Sequence, residues 1–143
     1  HDSADRRLRK ALPAAVVRIQ VTEEGRTWKE NNADASRERN AREAFLWRWA
    51  WTLPQAHVWA QDEWRWLDIA MWVRLQAVCE AVDAPASDRN SLHRFACKIG
   101  FGPDGLKENG WSIAADALAE KRAADAPAEP AAVSAKDRLR KAL

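Results

Sequence analysis

The chain has 143 residues, of which 47% are hydrophobic and 31% are charged. The 23 Lys and Arg residues nearly balance the 21 Asp and Glu residues, and the net charge of +2 excludes both a polycation and an acidic disordered protein. The length fits one compact domain with extensions.

The first predicted elements are a short helix and a β-hairpin. Residues 5–12 are basic and favour a helix, which Pro13 ends. Apolar and polar side chains alternate over residues 17–21, the period of a half-buried strand. Residues 23–25 read as a turn, so residues 26–29 are expected to return as a second strand.

Two long helices follow, and they carry most of the large apolar side chains. The first is expected to begin near Asp34 or Ser36, either of which can cap it, and to end before Pro54. Residues 54–60 form a linking turn. The second helix is predicted over residues 62–82 and is the longest in the chain.

The predicted helix 62–82 is apolar on two sides. One side consists of Trp64, Leu67, Met71, Leu75, Val78 and Val82. The other consists of Trp66, Ile69, Trp72 and Val73. A helix that is apolar on two sides must be covered on both, and a neighbouring copy is the natural second cover. The predicted oligomer interface consists of Trp64, Trp66, Trp72 and Val73.

Tryptophan is unusually abundant, with nine Trp residues and no Tyr. Each buried Trp removes roughly 150–250 Å² from water, so nine exceed what a small helical domain covers easily. We therefore expect some of the indole rings at a subunit interface. The close spacing of Trp47, Trp49 and Trp51 also permits stacking on single-stranded bases or a membrane-surface helix, but packing is favoured.

The following segment is predicted to be a helix, a turn and a further helix. Ser87 can cap a helix that stops at Gly100, and another helix is expected over residues 112–124. The glycines at 100, 102 and 105 do not form a phosphate loop, because no Gly-Lys-Ser/Thr follows and a helix precedes them. A helix stop followed by a turn accounts for them better.

The end of the chain is predicted to be a linker and a basic tail. Residues 126–132 are rich in Pro and Ala, and residues 134–143 form a short basic amphipathic helix. The string Arg-Leu-Arg-Lys-Ala-Leu occurs at residues 7–12 and again at 138–143. Both copies are interpreted as basic arms for phosphate or an acidic partner, or as solvated helix ends.

No pattern in the sequence predicts a catalytic site, a metal site or a cofactor. His57 and His93 lie far apart and belong to no metal-binding motif, and no nucleophile is paired with a base. Cys79 and Cys97 are expected to be buried thiols of a cytosolic protein, and the alternative is a disulfide between them. The most apolar stretch, 45–53, is too short to cross a bilayer and carries a charged residue, so no membrane partner is predicted.

Two basic clusters are candidates for phosphate contact. Arg37, Arg39 and Arg42 lie in the first turns of the first long helix and are the first choice. The alternative is a solvated, salt-bridged face, since acidic residues are interleaved with them. The second choice is the N-terminal cluster of Arg6, Arg7, Arg9 and Lys10.

The order of several motifs resembles a known family. Residues 47–56 read Trp-Arg-Trp-Ala-Trp-Thr-Leu-Pro-Gln-Ala, followed by Trp59 and a Trp/Arg-rich helix. Residues 99–111 read Ile-Gly-Phe-Gly-Pro-Asp-Gly-Leu-Lys-Glu-Asn-Gly-Trp. Over residues 37–122 the chain resembles the small terminase subunit of tailed bacteriophages. It departs from that family at residues 109–111, which are Asn-Gly-Trp where the family has Leu-Arg-Trp, so the closing helix is expected to be cut short.

The resemblance implies a DNA-packaging factor with no catalytic activity of its own, acting in the host cytoplasm. Small terminase subunits form closed rings, often of about nine copies, in which one surface patch binds a different patch of the neighbour. They bind the packaging start on double-stranded viral DNA and recruit the large subunit, which carries the ATPase and nuclease. The contacts to the large subunit are placed on Arg138, Arg140 and Lys141.

The sequence thus predicts a mainly α-helical protein with a helical hairpin core, further short helices, a small β-hairpin near the N-terminus and a flexible basic C-terminal tail. Its regions are an arm and hairpin at 1–33, a helical core for oligomerisation at 34–122, and a linker with tail at 123–143. Two other functions stay open: a small dimeric DNA-binding regulator, and a structural phage assembly module that binds no DNA.

Overall fold

In the described part of the chain, residues 2–111 and 124 of a computed structural model, helices dominate and one antiparallel hairpin lies near the N-terminus. This confirms the mainly α-helical class. The elements are α1 (Asp2–Ala11), β1 (Arg18–Glu23), β2 (Arg26–Asn31), α2 (Ala33–Ala50), α3 (Ala56–Trp59), a 3-10 turn (Glu63–Arg65), α4 (Trp66–Cys79), α5 (Ala86–Ile99) and α6 (Gly102–Glu108). All of these belong to the first of two units, His1–Ile113 and Ala114–Leu143. The predicted regional boundaries at 33/34 and 122/123 stay predictions.

The core lies where α4 packs against α2 and α5, with α1 covering part of α2. Its fully buried side chains include Trp47 of α2, Trp59 of α3 and Ile99 at the end of α5. The buried side of α4 consists of Ile69, Ala70, Trp72, Val73 and Ala77. Each helix therefore buries one stripe in a shared apolar interior, the arrangement that removes most apolar surface from water.

The sequence pattern did not distinguish the two apolar sides of α4. The continuous stripe that begins at Trp64 is only partly covered. Trp64 and Leu67 are exposed, Met71, Leu75 and Val78 are half-buried, and Val82 lies beyond the helix. The side that carries Trp72 and Val73 is the one that faces the core. Because both sides have helical spacing, periodicity alone could not say which one α2 and α5 would cover.

The predicted end and the predicted length of the helix over 62–82 are both wrong. The helix expected over 62–82 is α4 with the 3-10 turn before it; it ends at Cys79, and the 18-residue α2 is longer. The residues that follow α4 form turns and lead to Pro85. Pro disfavours helical geometry in the residue before it, so a single helix cannot run into α5.

The helix caps also differ from the sequence prediction. Asn32 caps α2, since its Oδ1 accepts a hydrogen bond of 2.8 Å from the Ala35 amide. Ser36 lies inside the helix, where its hydroxyl donates to the Asn32 carbonyl and accepts from the Val17 amide. At α5 the cap position is Pro85, and Ser87 lies inside the helix.

The predicted hairpin is present, but it is not half-buried. Its strands pair with Val21 opposite Trp28, and the side chains are exposed except for partly covered Val21. Glu24 and Gly25 both have positive φ, as the central residues of a type I′ turn require. The hairpin projects from the helices, and hydrogen bonds at its base join Val17 to Ser36 and Asn32.

The glycine-rich segment after α5 forms a further helix, α6, where the sequence predicted a turn. Gly100 is left-handed, and the amides of Gly100 and Phe101 bond to the carbonyls of Cys97 and Ala96, which forms a Schellman motif. The same bond pattern closes α6 at Gly110 and Trp111. The Trp111 ring covers Gly100 so closely that a Cβ there would lie 2.2 Å from the ring.

A buried carboxylate joins three helices. Glu43 of α2 is fully buried and accepts hydrogen bonds of 2.9 Å from Arg9 of α1 and 2.9 Å from Arg74 of α4. Arg74 also donates to the Pro13 carbonyl, which holds the chain after α1. The charge is therefore both paired and hydrogen-bonded, as a buried charge must be.

We expect Glu43→Gln to destabilise the protein strongly, by about 3–5 kcal/mol, because it leaves two partly buried arginines without their carboxylate. The measurement is the free energy of unfolding in urea. Glu80→Gln is the control, since it removes one exposed carboxylate from an ion pair with Arg42 and should cost at most about 1 kcal/mol. Equal losses in the two variants would contradict this role for Glu43.

We expect Gly100→Ala to lower stability by more than the roughly 1 kcal/mol typical of a lost left-handed glycine, because the new methyl group collides with Trp111. Gly110→Ala is the matched control. Gly110 is also left-handed, but an added Cβ there meets nothing within 4 Å. Thermal unfolding of both variants makes the comparison, and a difference near zero would show that Trp111 does not pack on Gly100.

Candidate nucleic-acid interface

The first predicted phosphate cluster does not form one free basic surface. Arg42 binds Glu80 through Nε and Nη2, with distances of 2.8 Å to each carboxylate oxygen. Arg37 pairs with Asp34 one turn earlier on the same helix. Arg39 is partly buried and contributes to lowering the pKa of Glu80, so α2 brings Arg39 and Arg42 together but not Arg37.

The Arg42–Glu80 pair is the clearest electrostatic feature of this side of the protein. The hydrogen bond from Arg42 holds the pKa of the Glu80 carboxyl below its ordinary value, and the same bond raises the pKa of Arg42. A lowered carboxyl pKa stabilises the fold above the unfolded pKa, and that contribution is lost as pH falls through the folded pKa. At neutral pH, therefore, Glu80 already neutralises the charge that Arg42 was predicted to offer to DNA.

The N-terminal cluster is divided between the core and the surface. Arg9 is the partner of buried Glu43, so it serves the fold rather than a free phosphate site. Arg7 lies with its guanidinium 5.7 Å from the centre of the Trp66 ring. Arg6 and Lys10 are exposed on α1. The last predicted contacts, Arg138, Arg140 and Lys141, lie outside the described residues.

The four predicted interface residues also have different environments. Val73 is fully buried and Trp72 is 6% exposed, so both belong to the core of a single chain. Trp66 is partly buried and donates a 2.7 Å hydrogen bond from its indole to the Trp59 carbonyl. Trp64 alone of the four is largely exposed, at 68%, and stacks with Arg65.

Most of the tryptophan surplus is covered inside the chain. Edge-to-face contacts link Trp51 to Trp47, Trp59 and Trp66, with ring centroids 5.6–5.7 Å apart. A second group joins Trp49 and Trp72 to Phe101. The exposed rings are Trp28, Trp49 and Trp64. The interior of one chain therefore covers most of the indole rings, and a subunit interface for the others stays a prediction.

A group of exposed basic side chains that the sequence did not predict lies on α5. We call it the α5 basic face, and it consists of the exposed side chains of Arg89, His93, Arg94 and Lys98. Arg89 donates to the Val82 carbonyl, and Lys98 lies 5.1 Å from the Phe95 ring. Within residues 2–111, no ion pair joins any of the four to a carboxylate.

The arrangement of α5 explains why these four side chains share a side. Leu92, Phe95 and Ala96 pack against the core, and Ile99 is buried in it. The one carboxylate of the helix, Asp88, is partly buried. The apolar spacing of three and four residues therefore carried the signal for this face, since whatever lies opposite such a stripe is exposed.

The described residues contain neither a metal-binding cluster nor a membrane-spanning helix. In residues 2–111 and 124, no group of three or more His, Cys, Asp or Glu side chains lies close enough to hold a metal ion. Cys79 and Cys97 are free thiols, and Cys97 Sγ lies 3.9 Å from His93 Nε2. No helix in the same part of the chain is long and apolar enough to span a bilayer.

No protein-family model, curated protein or solved structure matches the chain. Its function is therefore inferred from the surface chemistry of the described residues and from the sequence.

Proposed function

We propose that this protein is a non-catalytic, double-stranded-DNA-binding assembly protein of the small terminase type, with DNA contacting the α5 basic face. The observation that carries the proposal is the exposure of four basic side chains on α5 without an acidic partner among residues 2–111. Unpaired basic groups gain most from phosphate, because binding releases the counterions condensed on DNA.

Two arginines of the clusters first predicted to contact DNA would have to break ion pairs in order to bind it. Arg42 would have to leave Glu80, and Arg9 would have to leave a fully buried carboxylate. Breaking a buried pair is costly, whereas neither Arg94 nor Lys98 has an ion pair to break among residues 2–111, and Lys98 gives up only its contact with the Phe95 ring. Arg37 and Arg39 form the second candidate surface for DNA, after the α5 basic face.

The packaging role itself comes from the resemblance over residues 37–122. In this proposal the protein forms a ring, binds the packaging start of viral DNA and recruits the large ATPase-nuclease subunit through residues near its C-terminus. It acts in the host cytoplasm and needs no cofactor. The exposed Trp64 of the 3-10 turn and the exposed Leu67 of α4 provide apolar surface for contact between copies.

A dimeric DNA-binding regulator is the second candidate, and one observation favours it. Gly100 and Phe101 alone connect α5 to α6, as short a connection as a helix-turn-helix uses. However, α6 has seven residues and carries Asp104 and Glu108 against Lys107, which is poor chemistry for a helix that enters a DNA groove.

We expect the double variant Arg94→Ala/Lys98→Ala to weaken retention of double-stranded DNA and to reduce the slope of log K against log salt by about 2, because two phosphate contacts are lost. Fluorescence anisotropy with a labelled duplex at several salt concentrations gives both quantities. The matched control is Arg37→Ala/Arg39→Ala, which removes the same charge from α2.

The two pairs separate the two surfaces. Loss of binding in the α2 pair with no change in the α5 pair would overturn the assignment to α5. If the unaltered protein retains no DNA even at low salt, the structural assembly module without DNA binding is the better description.

We expect native mass spectrometry at moderate salt to show one large species many times the 16.2 kDa of the chain. A closed ring gives a single stoichiometry because each copy offers the same pair of patches. A dimer that protects a palindromic DNA site would instead support the regulator. A monomer at every concentration would contradict the ring.

A further inference from the structure

The docking of α1 on the rest of the protein depends on a small set of side chains. Leu8 is fully buried, and Ala4, Ala11 and Leu12 pack partly buried against the core. The surface that receives them, which we call the α1 seat, is formed by Glu43, Trp47 and Trp51 of α2 and its C-terminus, together with Trp66 of α4.

Two arginines of α1, Arg9 and Arg7, also contact the seat. Arg9 donates to Glu43 at 2.9 Å and also to the Asn40 carbonyl. Arg7 lies over the Trp66 ring, and together with Ser3 and Ala4 it lines a cavity of about 150 Å³ against Trp47 and Trp51.

The sequence of α1 recurs in residues 134–143. Residues 3–12 read Ser-Ala-Asp-Arg-Arg-Leu-Arg-Lys-Ala-Leu, and residues 134–143 read Ser-Ala-Lys-Asp-Arg-Leu-Arg-Lys-Ala-Leu. The match therefore extends beyond the six-residue string, and eight of these ten positions are identical. In the first copy, these positions attach α1 to the rest of the protein.

Nearly every residue that fastens α1 to the seat recurs. Leu139 stands for the buried Leu8, and Arg140 stands for Arg9, the partner of Glu43. The residues that correspond to Ser3, Ala4, Arg7, Ala11 and Leu12 are Ser134, Ala135, Arg138, Ala142 and Leu143. A solvated basic arm would need only the charges, whereas this repeat also preserves the apolar and small residues at the same sequence spacing.

The two copies differ at two neighbouring positions, and at the first of these Asp5 contacts Arg48 of α2. Asp5 accepts a 2.8 Å hydrogen bond from Arg48, and the corresponding residue of the second copy is Lys136. A lysine opposite Arg48 replaces attraction with repulsion. The seat should therefore prefer α1 and accept the repeated segment less tightly.

We infer that the α1 seat of one copy accepts the segment 134–143 of a second copy in exchange for its own α1. This inference deepens the oligomer part of the proposed function by naming the segment exchanged, and it does not depend on DNA binding. A contact of a seat with a different segment of the neighbour is heterologous, so it propagates head to tail and closes into a ring or extends into a chain. A free helix of ten residues is marginal in water, which makes the seat the main determinant of where such a helix is ordered.

The first experiment compares the association of the full chain with that of two variants by sedimentation velocity over a range of concentrations. Leu139→Ala removes the anchoring side chain, and we expect association roughly thirtyfold weaker or more. Lys141→Ala is the matched control, because the corresponding Lys10 is exposed on α1, and it should leave association unchanged. Neither substitution lies in the unit His1–Ile113 that holds the seat.

The second experiment strengthens the contact instead of removing it. Lys136→Asp supplies the partner for Arg48 that Asp5 provides in α1, and we expect association to increase about two- to fivefold, the range of a partly exposed ion pair. A synthetic peptide of residues 134–143 in excess should dissociate the oligomer, and a scrambled peptide of the same composition should not.

These outcomes separate the exchange from the wider proposal. Weakening by Leu139→Ala together with strengthening by Lys136→Asp supports the exchange. An oligomer that ignores both variants and the peptide overturns it, while the proposed assembly through other surfaces stands. A chain that is monomeric at all concentrations overturns both.

Discussion

The fold depends on the carboxylate of Glu43, which two arginines from different helices bind inside the protein. Arg9 reaches it from α1 and Arg74 from α4, and Arg74 also holds the carbonyl of Pro13. A buried charge cannot exist without such partners, so the position of Glu43 dictates where α1 and α4 meet α2. The pairing also occupies Arg9, which belongs to the N-terminal cluster predicted to contact phosphate. The same ion pair makes the seat of α1 selective, since a helix that docks there must carry an arginine at this position.

The aromatic interior shows how a small domain covers most of nine tryptophan rings. A small helical domain covers most of its indole rings because they pack edge to face in two adjoining groups, around Trp51 and around Phe101. The second group draws the α5–α6 connection onto α2 and α4, so the glycine-rich segment belongs to the core. The indole and amide groups of Trp59 and Gln55 donate to the carbonyls of Ile99 and Gly100, which fastens the end of α5 to the same interior.

Local signals in the sequence were sufficient for the hairpin, the helical class and the stop at Gly100, because each depends on neighbouring residues alone. The cap of α2 was missed because Asn32, Asp34 and Ser36 are all good caps, and only the incoming strand decides among them. The orientation of α4 was missed because both of its sides are apolar. The pairing of Arg42 with Glu80 joins residues 38 positions apart, which no local pattern reveals. The α5 basic face, in contrast, was predictable, since it lies opposite the apolar spacing of Leu92, Phe95 and Ile99.

The β-hairpin stands apart from this tightly determined interior. In the described part of the chain its two strands pair only with each other. Its base is held by hydrogen bonds of Val17 with Asn32 and Ser36, and the segment just before it by hydrogen bonds between Ala15 and Asn40. Changes in length at Glu24 and Gly25 are therefore absorbed by the ribbon and do not reach the helices. The tip is the natural point at which to graft a peptide tag or a fluorophore, and the point at which evolution can lengthen the protein without repacking its core.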